Sequence, residues 1–153
     1  MTVTWKLKGL FKGIDPEEAY EEIYGDGEGK TTQQIVDIAR DEDSVIHKYF
    51  EWDDSIAGEK YRLQQAQVMV RNFVLVKPIN EEKPEEKVTY RLVQADSSRE
   101  SKYEPVSFFL KNEDEYQKLL KRALAQLESF KQAYKSLVEL DGVFEEIDKL
   151  LTA

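Results

Sequence analysis

The chain of 153 residues contains no cysteine and a single histidine, His47. Without cysteine it can form no disulfide, no thiolate metal site and no catalytic thiol. One histidine also excludes a zinc site built from several histidines of the same chain. We therefore expect neither a metal nor a cofactor, and the composition is compatible with a reducing cytosol.

Long apolar runs and an excess of positive charge are also lacking. No run approaches the roughly 18 apolar residues of a membrane span, and the hydrophobic region of a signal peptide is absent. We therefore expect a cytoplasmic protein. The 31 acidic residues outnumber the 22 basic ones, and the resulting net charge of −9 argues against a general polyanion binder.

The N-terminal half carries the start signals of short helices. Asp15 can cap a helix that begins at Pro16, a position where no backbone N–H is needed. Thr31 or Thr32 can cap a second helix that runs through Arg40. Both helices should be amphipathic.

A third helix is predicted over residues 54–72, with Asp53 or Asp54 as its cap. Its apolar residues recur at helical spacing, so they define one stripe that faces the core. The stripe consists of Ile56, Leu63, Ala66 and Val70.

Residues 73–110 have the composition of a small antiparallel sheet. Short runs of strand-forming residues lie at 73–76, 87–93 and 106–110, which predicts about three strands. Residues 80–86 are polar and contain a proline, so we expect a solvated loop tip there. The alternating residues 3–7 are typical of a further strand or an ordered arm.

The clearest helix start lies at Asn112, a capping residue followed three positions later by Glu115. Apolar residues then recur at spacings of four and three, which indicates a seam that packs against another helix. An ordinary core helix lying on the sheet is the alternative. We expect this helix to end near Gly142 after roughly 40 Å, and residues 143–151 predict a short returning helix. The candidate protein-partner seam is Tyr116, Leu120, Leu127, Phe130, Tyr134 and Leu137.

Together these signals predict an α+β fold. Its N-terminal half is helical and resembles a helix-turn-helix, and a small antiparallel sheet, a long C-terminal helix and a short returning helix follow. We expect an α+β domain over residues 1–110, helical over 14–72 and sheet over 73–110. Residues 111–153 should form a C-terminal helical extension or hairpin.

The glycine-rich segment GDGEGKT at residues 25–31 is similar to the phosphate-binding pattern G-x-x-x-x-G-K-[ST]. However, Tyr24 stands where the first glycine is required, and Asp26 and Glu28 would repel a phosphate. We interpret the segment as a flexible turn between helices, with nucleotide binding as the less favoured alternative.

The segment HKYFEWDD at residues 47–54 combines the histidine with aromatic and acidic residues. Carboxylates so close together could act as a general acid and base or bind a hard cation. No serine, cysteine or second histidine completes a recognisable triad, so we predict no catalytic residues. We interpret the segment as a structural latch and helix cap made by His47, Tyr49, Phe50, Trp52, Asp53 and Asp54.

The second and third helices also permit a helix-turn-helix interpretation. Arginine and glutamine side chains suit DNA because they make paired hydrogen bonds to guanine and adenine edges. A linker of about a dozen residues is longer than the usual turn, and simple solvation of the helix is the alternative. The candidate DNA contacts are Lys60, Arg62, Gln64, Gln67 and Arg71.

The sequence HKYFEWDDSIAGEKYRLQQAQVMVRN at residues 47–72 resembles a family of small proteins encoded by tailed phages and prophages of Gram-positive bacteria. Members share a histidine, aromatic residues and W-D-D, followed by a helix with Y-R-L-x-Q-A. The resemblance is looser over residues 32–40 and over about the last forty residues. It implies a phage context in a bacterial host cell, and not an activity.

We therefore expect a non-enzymatic phage or prophage accessory factor that binds a host or phage protein. In one version it acts within a DNA-bound complex, as a recombination-directionality or transcription-regulating factor does. The alternative is a direct sequence-specific DNA-binding regulator that uses the helix 54–72. A coiled-coil homo-oligomer is compatible with the seam, and no membrane partner is expected.

Overall fold

A computed structural model describes residues 1–56 and 58–153. It confirms the α+β class, with a three-stranded antiparallel sheet and more helix than strand. The chain divides into two compact units, Met1–Phe108 and Phe109–Ala153. The expected division lay after residue 110. In chain order the strands and α-helices are β1 (Thr2–Trp5), α1 (Pro16–Tyr24), α2 (Thr32–Ala39), α3 (Glu59–Asn72), β2 (Phe73–Asn80), β3 (Lys83–Tyr90), α4 (Val106–Phe109), α5 (Glu113–Tyr134) and α6 (Asp141–Thr152).

The first unit is built around the sheet, whose order is β1-β2-β3 with both pairs antiparallel. Val3 pairs with Leu75, and Trp5 pairs with Phe73. The ring of Trp5 lies between Phe73, with centroids 4.7 Å apart, and Phe11, with centroids 4.2 Å apart. The Trp5 indole N–H donates to the carbonyl of Ile14 over 3.1 Å. These contacts connect the sheet to the segment that leads into α1.

Helices α1, α2 and α3 bury their apolar stripes in the same core. Asp15 caps α1 by accepting hydrogen bonds from the N–H groups of Glu17 and Glu18, and Pro16 is the first helical residue. Thr31 and Gln34 form a reciprocal capping box at the start of α2. These two helix starts lie where the sequence signals predict them, because caps depend on residues that are neighbours in the chain.

The third helix begins later than predicted. Its cap is Gly58, which has no side-chain oxygen, so the prediction that Asp53 or Asp54 caps it is wrong. Asp53 instead accepts hydrogen bonds from the N–H and hydroxyl of Ser55. Ile56, predicted on the core stripe, precedes the helix and is 72% exposed.

The sheet also differs from the predicted one. Residues 106–110 were expected as a strand, but residues 106–109 form the short helix α4, and the third strand is β1. A run of a few apolar residues is too short for its periodicity to separate strand from helix. Residues 80–86 were expected as a loop, yet β2 and β3 extend to Asn80 and from Lys83. Pro78 is tolerated there because β1 ends opposite Val76, which leaves one side of β2 without a partner strand.

The second unit is a helical hairpin. Helix α5 ends at Tyr134, earlier than the predicted end near Gly142, and a 3₁₀ turn at Val138–Leu140 leads into α6. Gly142 therefore lies within the first turn of α6 and does not cap α5. The early turn lets α6 contact α5 and bury Phe144 and Ile147, a tertiary gain that the local signals do not contain.

Candidate functional site

The HKYFEWDD segment forms an aromatic and polar turn between α2 and α3. The imidazole Nδ1 of His47 lies 2.7 Å from the carbonyl oxygen of Ala39. Since a carbonyl can only accept, Nδ1 carries the proton. The imidazole stacks on the indole of Trp52, and the Trp52 N–H donates to the carbonyl of His47 over 2.9 Å. Phe50 is buried and Tyr49 is half-buried beside them.

Arg62 joins this turn to the start of α3. Its Nη2 lies 2.6 Å from Oδ1 of Asp54, its Nε lies 3.2 Å from Oε2 of Glu59, and its Nη1 donates to the carbonyl of Glu51 over 3.0 Å. The guanidinium carbon is 5.3 Å from the centroid of the Trp52 ring. The hydrogen bonds to Asp54 and Glu59 raise the pKa of Arg62 above its usual value. Arg62 is thus a structural cation inside the turn, with a side chain only 6% exposed.

Glu59 is shared between two arginines. Arg40, just after α2, pairs with the other carboxylate oxygen of Glu59 and with Asp37, and its guanidinium carbon lies 5.8 Å from the Trp52 ring. Hydrogen bonds from Arg40, and then from Gln33, lower the pKa of Glu59. The network therefore ties α2 to the first residue of α3.

The chemistry available in this network is charge compensation. Asp54 and Glu59 hold arginines, Glu51 accepts the N–H of Asp53 through its side chain, and Asp53 accepts from Ser55. The geometry supports a latch that fixes α3 against α2.

The candidate DNA contacts do not all lie together. Lys60, Gln64 and Arg71 are exposed on one face of α3, but Arg62 is turned to the opposite side. The inclusion of Arg62 in an exposed face is therefore wrong. On a helix, residues two apart lie about 200° apart, whereas Arg62 shares its side with Ala66, four positions later. That spacing was the signal that could have placed Arg62 correctly.

The remaining polar face of α3 borders a groove of about 540 Å³. Gln67 lies at its edge and donates to the hydroxyl of Tyr103 over 3.1 Å, while the guanidinium carbon of Arg71 is 5.9 Å from the Tyr103 ring. Lys60 and Arg99 contribute positive charge to the groove lining. The face is polar and carries few charges.

The glycine-rich segment is held by its own side chains. The Nζ of Lys30 lies 2.8 Å from both carboxylate oxygens of Asp26 and 3.0 Å from the carbonyl of Glu28. This pairing lowers the pKa of Asp26. A Cβ added at Gly29 would lie 1.6 Å from Oε2 of the buried Glu104, so the loop packs tightly. The Lys30 ammonium is therefore committed to the loop itself, which is a turn between α1 and α2.

The partner seam lies on the helical hairpin. Phe144 and Ile147 of α6 are buried, and the rings of Phe130 and Phe144 are 6.3 Å apart. Lys131 and Asp148 form an ion pair between the helices. No residue of α5 is fully buried. Tyr116 and Leu127 are half-buried, and the other seam residues are exposed by 40–48%: Leu120, Phe130, Tyr134 and Leu137.

Several residues have structural roles that the sequence did not predict. The roles of Arg40 and Glu59 depend on a contact between helices, although the Asp37/Arg40 and Glu59/Arg62 pairs at i, i+3 were visible. The hydroxyl of Tyr24 is buried and finds no hydrogen-bond partner among residues 1–56 and 58–153. Burial raises the pKa of Tyr24 well above 10. No sequence signal marked it.

Within the part of the chain that the structure describes, no three His, Asp or Glu side chains are grouped to hold a metal ion. None of the described helices has the length and apolar character to span a membrane. No protein-family model matches the chain, and comparisons with curated proteins and with solved structures give no match.

Proposed function

We propose that this chain is a non-enzymatic binding protein that assembles with another protein through its C-terminal hairpin. The observation that carries this proposal is the apolar surface that the hairpin leaves open. Besides the seam residues, Val143 and Leu150 of α6 are exposed by 51% and 56%, and Val138 in the turn is exposed by 70%.

The size of this surface supports binding over simple solvation. An aromatic side chain presents roughly 150–250 Å², so Phe130 and Tyr134, at 42% and 48% exposure, leave on the order of 100 Å² each. Together with the aliphatic residues the open area reaches several hundred Å², the upper range for a monomeric protein and typical of interaction sites.

The biological setting of the proposal comes from the resemblance of residues 47–72. A phage or prophage accessory factor in the bacterial cytoplasm acts on larger assemblies, and a recombination-directionality or transcription-regulating factor docked on a DNA-bound protein fits a small binding protein of this kind. In that setting the turn around Trp52 and Arg62 is the scaffold, and the hairpin is the docking element.

The test is capture of partners by tagged full-length chain from cells with an induced prophage. A captured protein is identified by mass spectrometry, purified, and titrated against wild-type chain and a Leu120→Glu/Tyr134→Glu variant. We expect the variant to bind at least about 10-fold more weakly, since charge is placed in an apolar contact. The matched control is Ile79→Glu, at an apolar residue of the first unit that is 64% exposed. Equal binding by all three chains contradicts the proposal.

Direct DNA binding by α3 is the second candidate, and the alignment of Lys60, Gln64 and Arg71 on one exposed face favours it. The test is a duplex-DNA shift at two salt concentrations with Lys60→Ala/Arg71→Ala, and Lys87→Ala on β3 as control. A shift that weakens steeply with salt and is lost only in the α3 variant supports this candidate. No shift by the wild-type chain rejects it.

A further inference from the structure

We infer that the open apolar face of the α5–α6 hairpin is covered by the same hairpin of a second copy of this chain, with the two hairpins antiparallel in a four-helix bundle. This inference rests on the proposed function, since it assumes that the face binds protein, and it names the occupant.

The first observation is that α6 presents a wider apolar stripe than α5 covers. Phe144 and Ile147 are buried. At about 100° per residue, Val143, Ile147 and Leu150 fall within a sector of roughly 60°, and yet Val143 and Leu150 are about half exposed. The contact with α5 therefore covers one edge of the stripe and leaves the other edge open.

The second observation is that α5 has the matching property. Phe130 contacts α6 through Phe144 and is still 42% exposed, and Leu119 and Ala123 lie within about 20° of the same direction on α5. Leu119 is half-buried and Ala123 is exposed. Two half-covered stripes on neighbouring helices make one continuous face, which is the surface that the hairpins of a four-helix bundle present to each other.

The area agrees with what a dimer needs. The several hundred Å² of open apolar surface approach the roughly 800 Å² that each partner contributes to a standard interface. A second hairpin supplies a face of the same width, curvature and chemistry, because a two-fold axis makes the interface self-complementary.

Charge favours this unit as the contact between copies. Residues 109–153 carry 7 basic and 9 acidic groups, whereas residues 1–108 carry 15 and 22. Net charges of −2 and −7 follow, so two copies repel each other far less through the hairpin than through the first unit.

Charge also selects the orientation. Helix α5 begins with Glu113, Asp114 and Glu115, whereas Lys135 follows directly after its other end; Lys131, also near that end, is already paired with Asp148 of α6. Parallel helices would place the two acidic turns together. Antiparallel helices place each acidic turn beside the basic end of the other copy, and they also oppose the helix dipoles.

The first test measures the mass of the full chain by light scattering after size-exclusion chromatography, from about 1 to 200 µM, a range that brackets the affinity of weak to moderate dimers. We expect twice the chain mass at high concentration for the wild type. Val143→Glu/Leu150→Glu should be monomeric throughout, and Ile79→Glu should behave as the wild type. Circular dichroism that shows wild-type helix content in every variant excludes unfolding as the cause.

The second test measures the relative orientation of the two hairpins by disulfide cross-linking. Because the chain has no native cysteine, each introduced cysteine is the only one in its variant. Glu115→Cys and Leu137→Cys chains are oxidised separately and as a mixture. Antiparallel hairpins should give a disulfide-linked mixed dimer and little self-linked product, because positions 115 and 137 lie at opposite ends of the seam. Self-linked dimers of each variant with no mixed product would overturn the antiparallel arrangement.

Failure of this inference can be told from failure of the proposed function. A wild-type chain that stays monomeric at about 200 µM contradicts the inference that a second copy covers this face. If Val143→Glu/Leu150→Glu nevertheless loses binding to another captured protein, the proposed function stands. A dimer that is insensitive to Val143→Glu/Leu150→Glu overturns this face as the interface. A hairpin-dependent dimer that loses no other protein on mutation supports the inference and contradicts the wider binding role.

Discussion

The imidazole of His47 stacks on the indole of Trp52, with 5.0 Å between the ring centroids and 10° between the ring planes. The guanidinium groups of Arg40 and Arg62 lie within 6 Å of the same indole, at 5.8 and 5.3 Å. Trp52 is thus the point where the turn, the end of α2 and the start of α3 meet. Aromatic and cation–π contacts of this kind add to the burial of the ring.

Replacing Trp52 with alanine should therefore destabilise the first unit. Complete burial of a tryptophan is worth about 3–5 kcal/mol on truncation, and because Trp52 is half-buried we expect a loss of about 2 kcal/mol. Urea unfolding followed by circular dichroism measures it. Ile56→Ala, at a neighbouring residue that is 72% exposed, is the control and should change the free energy of unfolding little. Equal effects of the two substitutions would contradict a central role for Trp52.

Arg62→Ala should lower the melting temperature by several degrees, whereas Arg71→Ala, which removes only the contact of an exposed side chain with the Tyr103 ring, should lower it by less. Removal of Arg62 takes away the cation that Asp54 and Glu59 share with the turn, and it opens the packing on Trp52. Arg71 is exposed on the other side of α3. Scanning calorimetry at low and high salt measures both melting temperatures, and because the Arg62 side chain is only 6% exposed its effect should change little with salt. A larger effect of Arg71→Ala than of Arg62→Ala would contradict the burial of Arg62 in the turn.

Interactions between residues close in sequence were predictable, whereas those between distant residues were not. The caps at Asp15, Thr31 and Asn112 were predictable because donor and acceptor lie within three residues of each other. The burial of Arg62 depends on Asp54, eight residues away, and on the position of Trp52. The helix period alone could predict only that Arg62 lies on the same side of α3 as Ala66.

Two predictions for the C-terminal part of the chain were wrong, the end of α5 near Gly142 and the strand at residues 106–110, because neighbouring residues did not contain the information needed. The seam spacing predicted helix and apolar face, but it could not show that the chain turns after Tyr134, because the turn is fixed by the burial of Phe144 and Ile147 against α5. Nor could the run at 106–110 reveal a helix, since four residues carry too little periodicity. Patterns among neighbouring residues thus predict which helices and strands form, whereas contacts between these elements determine where each one begins and ends.

Tyr24→Phe should stabilise the protein at pH 7 by about 1 kcal/mol, because the buried hydroxyl has no hydrogen-bond partner among the described residues. Tyr90→Phe, at a residue 46% exposed, is the control and should have no such effect. Chemical unfolding of the two variants measures the difference. A loss of stability in Tyr24→Phe would show that its hydroxyl is hydrogen-bonded in solution.

The buried tyrosine hydroxyls should make the stability of the protein depend on pH in the alkaline range. Burial raises the pKa of Tyr24 well above 10 and, with Glu21 nearby, raises the pKa of Tyr20 to about 12. The unfolded chain therefore releases these protons first, so the stabilisation is complete below pH 10 and is lost as the pH rises from about 10 towards 12. Tyrosinate absorbance should show late-ionising tyrosines whose titration coincides with unfolding. Ionisation of all tyrosines near pH 10 without unfolding would exclude this.

Gly142→Ala should stabilise the hairpin by up to about 0.5 kcal/mol, because alanine is the better helix former and position 142 lies in the first turn of α6, where the gain is smaller than in the middle of a helix. A Cβ at this position meets no atom within 4 Å. Gly29→Ala should destabilise by about 1–3 kcal/mol through overpacking against Glu104. Thermal unfolding compares the two. If Gly142 instead capped a longer α5 in the left-handed region, alanine there would cost stability.

Phe144→Ala should separate the two units in an unfolding experiment. Phe144 is 6% exposed and lies against α5, so truncation should cost the hairpin about 3–5 kcal/mol. Both tryptophans, Trp5 and Trp52, belong to residues 1–108, so their fluorescence reports the first unit alone, whereas circular dichroism reports the helices of both. We expect part of the dichroism signal to be lost at lower urea while the fluorescence transition keeps its midpoint. Val143→Ala, at a residue 51% exposed, is the matched control. Coincident shifts of both probes in Phe144→Ala would mean that the units unfold as one, because a single cooperative transition moves every probe together.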